Sequence, residues 1–334
     1  MSWRTKIKIG FFPIIVALIW FASLYYLPHP RLDFQGQTKY VLVKKGDNLF
    51  NIAAKLDSTG AIPSKGRFIF FVRLTGNTTH LRVGRYAVKP RSSLAYIIGI
   101  MKRGEQSPFN VTIPEGRTMA QIANILEATL DMDVTQFRDA VTNRAFLDSS
   151  QIDGDDLEGY LAPSTYNFYY DESPQKIVAT MTEHFFESLP DSFEEKANQL
   201  GLTFNEAVTL ASLVEKEAML DSERSIIAAV FLNRLRKGWK LECDPTVIYG
   251  MGGLNRPLSH DDLANDSPYN TYIIYGLPPG PIANPGAKSL EAAVNPAQVG
   301  FFFFVARGDG SHIFSYTLQD HNNAIYRIRH NLRG

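Results

Sequence analysis

The sequence predicts an α+β protein with a single N-terminal transmembrane helix, a small basic domain and a larger domain of mixed helices and strands. Three observations lead to this prediction. The length of 334 residues suits about two domains, and 45% hydrophobic residues can build their cores. The formal charge of zero is the sum of a basic and an acidic part of the chain. Residues 1–110 carry 17 Lys and Arg against 4 Asp and Glu, whereas residues 111–334 carry 17 Lys and Arg against 30 Asp and Glu. The third observation is an uncharged stretch near the N-terminus.

That stretch covers residues 9–27 and is mostly apolar. As a helix, it is long enough to cross a hydrocarbon core of about 30 Å. Arg4, Lys6 and Lys8 precede it, so the positive-inside rule places the N-terminus in the cytoplasm. A cleaved signal peptide is the alternative, but the run offers no good small-x-small cleavage site. We therefore expect an uncleaved membrane anchor.

The basic domain opens with a strand-like run at 40–43 and an amphipathic helix at 49–56. Asp47 or Asn48 is the expected cap of that helix. Strand, turn and capped helix form a common local unit, which also arises by convergence. The phrase nevertheless resembles LysM modules, which bind glycans rich in N-acetylglucosamine, so we expect residues 39–110 to form a LysM-like domain.

The second half of the chain alternates helical and strand-like patterns. Residues 205–219 place apolar side chains on one face of a predicted helix, and a second helix is expected at 222–236. Residues 244–285 are rich in Gly, Pro, Asn and Tyr, which is typical of a long loop that forms a binding surface. Aromatic runs at 301–305 and 312–316 predict a buried strand and its partner.

Two carboxylates, Glu215 and Glu217, lie at the end of the first of these helices. At about 100° per residue their side chains point about 200° apart, so this pair alone does not form a two-carboxylate glycosidase site. Each lies at an edge of the apolar stripe, where partial desolvation raises the pKa of a carboxyl and suits it to donate a proton. The alternative is a pair of half-exposed carboxylates bound to Arg224 or Lys216. The pattern alone leaves both open.

Residue types exclude several kinds of site. Cys243 is the single cysteine, which excludes an intramolecular disulfide and a multi-cysteine metal site. We expect it to be a small buried side chain rather than a reactive thiol. Neither metal-ligand spacing nor a phosphate-binding glycine loop occurs, so we expect no metal and no cofactor. Overall neutrality argues against a nucleic-acid partner.

A set of motifs in residues 205–322 points to a family. They are Ala-Ser-Leu-Val-Glu-Lys-Glu at 211–217, Ser-Glu-Arg at 222–224, Phe-Leu-Asn-Arg-Leu at 231–235, Asp-Pro-Thr-Val-Ile-Tyr-Gly at 244–250, Tyr-Asn-Thr-Tyr at 269–272 and Gly-Leu-Pro-Pro-Gly-Pro-Ile-Ala-Asn-Pro-Gly at 276–286. Together, and in this order, they resemble the MltG (YceG-like) endolytic murein transglycosylases. An N-terminal anchor and a LysM-like segment fit the same family.

The resemblance implies that Glu217 is the catalytic acid. The expected reaction cleaves the β-1,4 bond between N-acetylmuramic acid and N-acetylglucosamine inside a nascent peptidoglycan strand. It leaves 1,6-anhydro ends, since the muramic acid's own C6 hydroxyl is the nucleophile. Such cleavage would set where glycan elongation stops. The geometry that separates Glu215 from Glu217 is compatible with this reaction, because no second carboxylate has to activate water.

Residues that match the family's loop motifs are expected to bind sugar hydroxyls and acetamido groups: Asp244, Thr246, Tyr249, Asn270 and Tyr272. Turn structure is the alternative for each of them. Arg224 and Arg234 are candidates for orienting Glu217 or binding substrate carboxylates. His312 and His321 are expected to be structural or solvated. Ser164 stands where many family members have Asp, which puts any role of that acidic position in question.

The resemblance completes the expected organisation. It comprises a cytoplasmic tail at 1–8, the anchor at 9–27, a linker at 28–38, the LysM-like domain at 39–110 and a periplasmic catalytic domain at 111–334. The protein would lie in the bacterial inner membrane, act on peptidoglycan glycan strands, and work beside peptidoglycan synthases. Two rival functions stay open: a non-catalytic peptidoglycan-binding scaffold, and a water-using muramidase with Asp244 as its second carboxylate.

Overall fold

A computed structural model describes residues 3–28, 36–150 and 152–331 of the protein. Helices and short strands are mixed along the chain, and each strand pairs with one other strand in three two-stranded sheets of the described residues. Most of the predicted linker at 28–38 and the first two residues of the predicted tail lie outside the described residues.

The chain divides into two compact units. One comprises residues 1–110 with 167–172, and the other comprises residues 111–166 with 173–334. We call them the basic unit and the acidic unit, after the charges of their main segments. The names LysM-like and catalytic, given above to 39–110 and 111–334, stay predictions.

The basic unit contains four further helices and strands after an N-terminal helix and a first strand. Its elements are α1 (Trp3–Tyr26), β1 (Lys39–Val43), α2 (Leu49–Ser58), α3 (Lys65–Leu74), β2 (Gly84–Val88) and α4 (Leu94–Arg103). β1 and β2 pair antiparallel, with Val41 opposite Tyr86, and both of these side chains are buried. The side chain of Asn48 accepts hydrogen bonds from two backbone amides at the start of α2, which confirms the cap expected there.

The structure corrects the predicted transmembrane anchor at 9–27. Among the helices in the described part of the chain, none is long and apolar enough to span a membrane. Near the end of α1, Phe21, Leu24 and Tyr25 pack against the core of the basic unit, and Tyr25 stacks on Phe71 with 4.9 Å between ring centroids. An apolar side chain that packs on a neighbouring helix looks the same in sequence as one that faces lipid, so the apolar run alone could not separate the two.

The acidic unit is mainly helical. Its elements are β3 (Phe109–Ile113), α5 (Met119–Leu130), α6 (Val134–Val141), α7 (Arg144–Ser149), β4 (Ser164–Phe168), α8 (Pro174–Glu187), α9 (Phe193–Gln199), α10 (Phe204–Glu217), α11 (Arg224–Arg236), α12 (Asp244–Gly250), α13 (Ala287–Val294), β5 (Phe303–Ala306), β6 (His312–Ser315) and α14 (Leu318–Asn331). β3 pairs with β4, and β5 pairs antiparallel with β6. The end residues of β3 and β4 belong to the basic unit.

Helix α10 is the centre of the acidic unit. Thr203 and Glu206 form a capping box at its start, which satisfies two of the backbone amides that a helix leaves free. All eight residues from 207 to 214 are buried, because α9, α11, α12 and α13 pack around the helix. The apolar stripe predicted on one face is therefore part of a helix that is buried on every side over two turns.

Three predicted elements differ from the structure. α10 ends at Glu217 rather than at residue 219, because Ala218 adopts an extended conformation. The predicted loop at 244–285 begins with helix α12, where Pro245 lies in the first turn and so costs no hydrogen bond. Residues Phe303 to Val305 of the predicted buried strand are only half-buried.

Candidate active site

Glu217 is the last residue of α10. The final carbonyl groups of a helix lack partners within it and carry partial negative charge, which disfavours a carboxylate at that end. The side chain of Glu217 is half-buried and accepts a hydrogen bond from the Sγ of Cys243 at 3.1 Å. The end of the helix thus places a carboxyl in a poorly solvated position with a weak donor beside it.

Several neighbours act on the protonation of Glu217. Desolvation by burial is the largest influence and raises its pKa above the ordinary value for a glutamate. The hydrogen bond from Cys243 acts in the opposite direction, the negative charge of Asp244 raises the pKa further, and His312 lowers it. The net direction is upward, so the carboxyl holds its proton to higher pH than a solvated glutamate.

Glu215 has a contrasting environment, although only one residue separates it from Glu217. Its Oε2 accepts hydrogen bonds from Arg224 Nη1 at 3.1 Å, from the Ser289 hydroxyl at 2.8 Å and from the backbone amide of Gly286 at 3.0 Å. The side chains of Glu215 and Arg224 are only 7% and 9% exposed, so the ion pair is buried. Glu215 therefore connects α10 to α11 and to the start of α13.

Two threonines hold the backbone of Cys243, whose thiol contacts Glu217. The backbone amide of Cys243 donates to the hydroxyl of Thr271 at 2.9 Å, and the hydroxyl of Thr246 donates to the carbonyl of Cys243 at 2.6 Å. The two hydroxyl groups are 2.9 Å apart. Cys243 is buried, as the sequence predicted.

The residues predicted to bind substrate divide by exposure. Asp244 is exposed, and the half-buried Tyr272 donates its hydroxyl to an Asp244 carboxylate oxygen at 2.6 Å. Thr246 and Asn270 are fully buried, and the Asn270 amide donates to the carbonyl groups of Leu263 and Asn265. Asp244 and Tyr272 thus present polar groups beside Glu217, whereas Thr246 and Asn270 hold the loop together.

The two candidate arginines make internal contacts. Arg224 pairs with Glu215 and donates to the hydroxyl of Ser289. Arg234 is buried and donates to the carbonyl groups of Phe302, Lys240 and Leu241. Neither donates to Glu217 within the residues that the structure describes, so any contact with substrate stays a prediction.

The histidines expected to be structural or solvated have different surroundings. His312 is buried, and its Nδ1 lies 2.7 Å from a carboxylate oxygen of Glu223, whose other oxygen accepts from the His312 backbone amide at 3.0 Å. His312 lies close enough to Glu217 to influence its charge. His321 stacks on Phe303, and burial lowers its pKa. His312 thus belongs to the surroundings of Glu217 as well as to a buried pair.

Tyr249 contacts Glu158, a buried carboxyl that no sequence argument singled out. Its hydroxyl donates to Glu158 at 3.3 Å, and Glu158 also accepts from the Met119 backbone amide and from the Asn284 side chain. Burial raises the pKa of Glu158 to about 8. The available signal was Glu158 within the phrase Glu-Gly-Tyr-Leu at 158–161, an acid beside apolar residues, but its partners lie far away in sequence.

The Gly- and Pro-rich segment at 276–286 contacts both α10 and the turn at Gly159. The Ile282 amide donates to the buried hydroxyl of Ser212 in α10 at 3.0 Å. Gly159 has a φ of +91°, and a Cβ there would lie 2.5 Å from Pro281, so only glycine permits this close approach. The segment therefore packs against both α10 and the turn that carries Glu158.

Metal-ligand geometry is missing from the described part of the chain, where no three His, Cys, Asp or Glu side chains lie together as a metal-binding group. Ser164, which stands at the departure from the common family pattern, is the first residue of β4 and is half-buried. Any effect of Ser164 on the cleft stays a prediction.

Comparison with known families classifies the protein. The model of the YceG-like family matches residues 41–327, so the chain belongs to the YceG-like family. An endolytic murein transglycosylase of Bacillus subtilis is 33% identical over 306 residues, which cover 86% of this chain and 84% of the relative. A Streptococcus pneumoniae protein of the same name is 29% identical, and the match covers 86% of this chain but 58% of that longer protein.

A solved structure is also similar. A crystal structure of a protein described as YceG-like from Listeria monocytogenes superposes with a TM-score of 0.60 at 31% sequence identity. The match covers 86% of this chain and 99% of the Listeria chain. The family resemblance derived from the motifs is confirmed.

Proposed function

We propose that this protein is an endolytic murein transglycosylase that uses Glu217 as its acid and base. The observation that carries the proposal is the position of Glu217 at the end of α10, with a raised pKa and a single thiol donor. The names of the Bacillus and Streptococcus relatives support the same activity. The bond cleaved would be the β-1,4 bond between N-acetylmuramic acid and N-acetylglucosamine within a strand.

The raised pKa of Glu217 suits the first step. The protonated carboxyl donates its proton to the oxygen of the glycosidic bond while the bond from that oxygen to C1 of the muramic acid breaks. The carboxylate then accepts the proton of the C6 hydroxyl, whose oxygen forms a new bond to C1 and closes the 1,6-anhydro ring. Glu217 ends in its starting state, and no water is consumed.

The environment of Glu215 supports a reaction with one carboxyl. Glu215 is already bound by Arg224, Ser289 and the Gly286 amide, so we assign it no part in activating water or transferring a proton. An intramolecular nucleophile removes the need for a second carboxylate that activates water.

A water-using muramidase is the second candidate function, and the observation that favours it is the proximity of Asp244. Asp244 is exposed, and its charge influences Glu217. Its carboxylate already accepts a hydrogen bond from the Tyr272 hydroxyl at 2.6 Å, and a carboxylate and a hydroxyl held side by side are suited to orienting a sugar. We therefore place Asp244 and Tyr272 in substrate binding and treat the muramidase as an outcome of the test below.

The place of action and the partners follow from the substrate. Peptidoglycan lies outside the cytoplasm, so we propose that the acidic unit acts there on nascent strands and limits their length. The strand, two-helix and strand order of 39–88 in the basic unit supports a LysM-like role in holding glycan. Peptidoglycan synthases, which make the strands, are the proposed protein partners.

The test is mass spectrometry of the products from purified, uncrosslinked glycan strands. We expect internal cleavage into fragments whose muramic ends are lighter by one water than reducing ends. Reducing ends would replace this function with that of a muramidase. No cleavage by the full-length protein, together with retention of glycan on it, would favour a non-catalytic scaffold.

A further inference from the structure

We propose that Cys243 is a positioning residue for Glu217: its thiol donates the hydrogen bond that holds the Glu217 carboxyl in the orientation needed for proton transfer. The proposal rests on the proposed function of Glu217. Cys243 itself would touch neither the substrate nor the reacting atoms.

The backbone of Cys243 is held on both sides. Its amide donates to Thr271 at 2.9 Å, and its carbonyl accepts from Thr246 at 2.6 Å. Both threonines are fully buried. These two hydrogen bonds fix the backbone of Cys243 and therefore the position of its Cβ, and rotation about the Cα–Cβ bond places Sγ 3.1 Å from Oε1 of Glu217.

The thiol does not cap the helix that follows it. Cys243 precedes the first residue of α12, where a polar side chain commonly accepts hydrogen bonds from the first turn. No such bond forms here, and Sγ lies 3.1 Å from Oε1 of Glu217 instead. Within the described residues, this thiol is the one side chain that donates to the Glu217 carboxyl.

The chemistry of a thiol fits this role. Burial and the neighbouring Glu217 raise the pKa of Cys243 well above its usual value, so the thiol keeps its proton at neutral pH. It can donate a hydrogen bond without competing for the proton that Glu217 gives and takes. As a weak donor, it orients the carboxyl while stabilising the carboxylate only slightly.

Two charged groups also face Glu217. Asp244 raises its pKa and His312 lowers it, and each has its own partner, Tyr272 and Glu223 respectively. Removing the thiol leaves both of these pairs intact. A change seen in a Cys243 variant can thus be assigned to the lost hydrogen bond.

The first experiment observes the thiol of the wild-type protein directly, and Glu217→Gln is its control. Because the chain has one cysteine, its infrared spectrum contains one S–H stretching band. We expect the band to lie at a lower wavenumber when Glu217 is ionised and to shift upward as the pH falls through the pKa of Glu217. In Glu217→Gln the band should no longer change with pH. A band that is insensitive to pH in the wild type would overturn the proposal.

The second experiment compares kinetics on glycan strands. In Cys243→Ala we expect kcat to fall about tenfold with KM changed less than twofold, since the carboxyl loses its orientation but the binding groups remain. The fall in activity at high pH should move to higher pH, because the carboxylate has lost a donor that lowered its pKa. Cys243→Ser keeps a donor and should recover most of the lost kcat.

Val178→Ala is the matched control, since it shortens a fully buried side chain in α8, which packs on α6. It should leave both the S–H band and the pH profile unchanged. Equal kcat and equal pH profiles in Cys243→Ala and the wild type would reject the positioning role alone. Full activity of Glu217→Gln would instead reject the proposed function, whatever the Cys243 variants do.

Discussion

The two ends of one short motif have opposite environments. Glu215 is enclosed by an arginine, a serine and a backbone amide that neutralise and fix its charge. Glu217 lies at the end of the helix, where the Cys243 thiol donates to it, and burial favours the protonated, neutral form of its carboxyl. The difference teaches that two glutamates on one helix can have separate roles. A glutamate that is buried beside an arginine stabilises the fold, whereas one that is desolvated without a paired cation can hold and transfer a proton.

Replacing Glu217 by Gln should produce the largest effect on activity. We expect cleavage of glycan strands to fall about a thousandfold, since general acid and base catalysis by a positioned side chain contributes 10²–10⁴-fold. The neutral amide imitates the protonated form that the site favours, so thermal unfolding should occur at the same temperature or higher. An active variant, or one that unfolds early, would break the comparison.

Replacing Glu215 by Ala should have its main effect on stability. The change leaves the buried Arg224 without its principal partner, and we expect a loss of about 3 kcal/mol in the free energy of unfolding, measured with denaturant. Asp221→Asn is the matched control, because Asp221 pairs with the same Arg224 but is exposed. Equal effects of the two variants would show that the buried position of Glu215 has no special weight.

Glu158 tests whether a buried carboxyl without a cation weakens the fold as it ionises. Its pKa is raised to about 8, so between the ordinary glutamate value and pH 8 the folded state binds more protons than the unfolded state. Stability must then fall as the pH rises, by about 2 kcal/mol between pH 6 and pH 8. Glu158→Gln should lack this decrease in denaturant unfolding. A parallel slope in both proteins would assign the pH dependence to other groups.

Asp244→Asn should give the smallest effect. Removal of this negative charge lowers the pKa of Glu217, so the loss of activity at high pH should begin at a lower pH than in the wild type. The activity at the optimum should stay within a few-fold, as measured by product release over a pH series. Complete inactivation would instead indicate that Asp244 activates water, as a muramidase requires.

Local patterns predicted the site only in part. Glu217 was selected because of its motif, and the rotation between neighbouring helical residues separated it from Glu215. The sequence pattern could not show which of the two glutamates is bound by Arg224. The site that holds Glu215 also needs Ser289, which is 74 residues away along the chain. Glu158 was missed for the same reason, because Tyr249 and Asn284 reach it across 91 and 126 residues.

The sequence by itself determined the features that depend on neighbouring residues: the capped helix after Asn48, the apolar face of α10, the strand pair at the end of the acidic unit and the family motifs. Tertiary structure alone decided the environment of each carboxyl, the packing of Phe21 and Tyr25 in the basic unit, and the direction of the Cys243 thiol. The physical reason is that helix periodicity and capping act over a few residues, whereas desolvation and ion pairing depend on what the folded chain brings together.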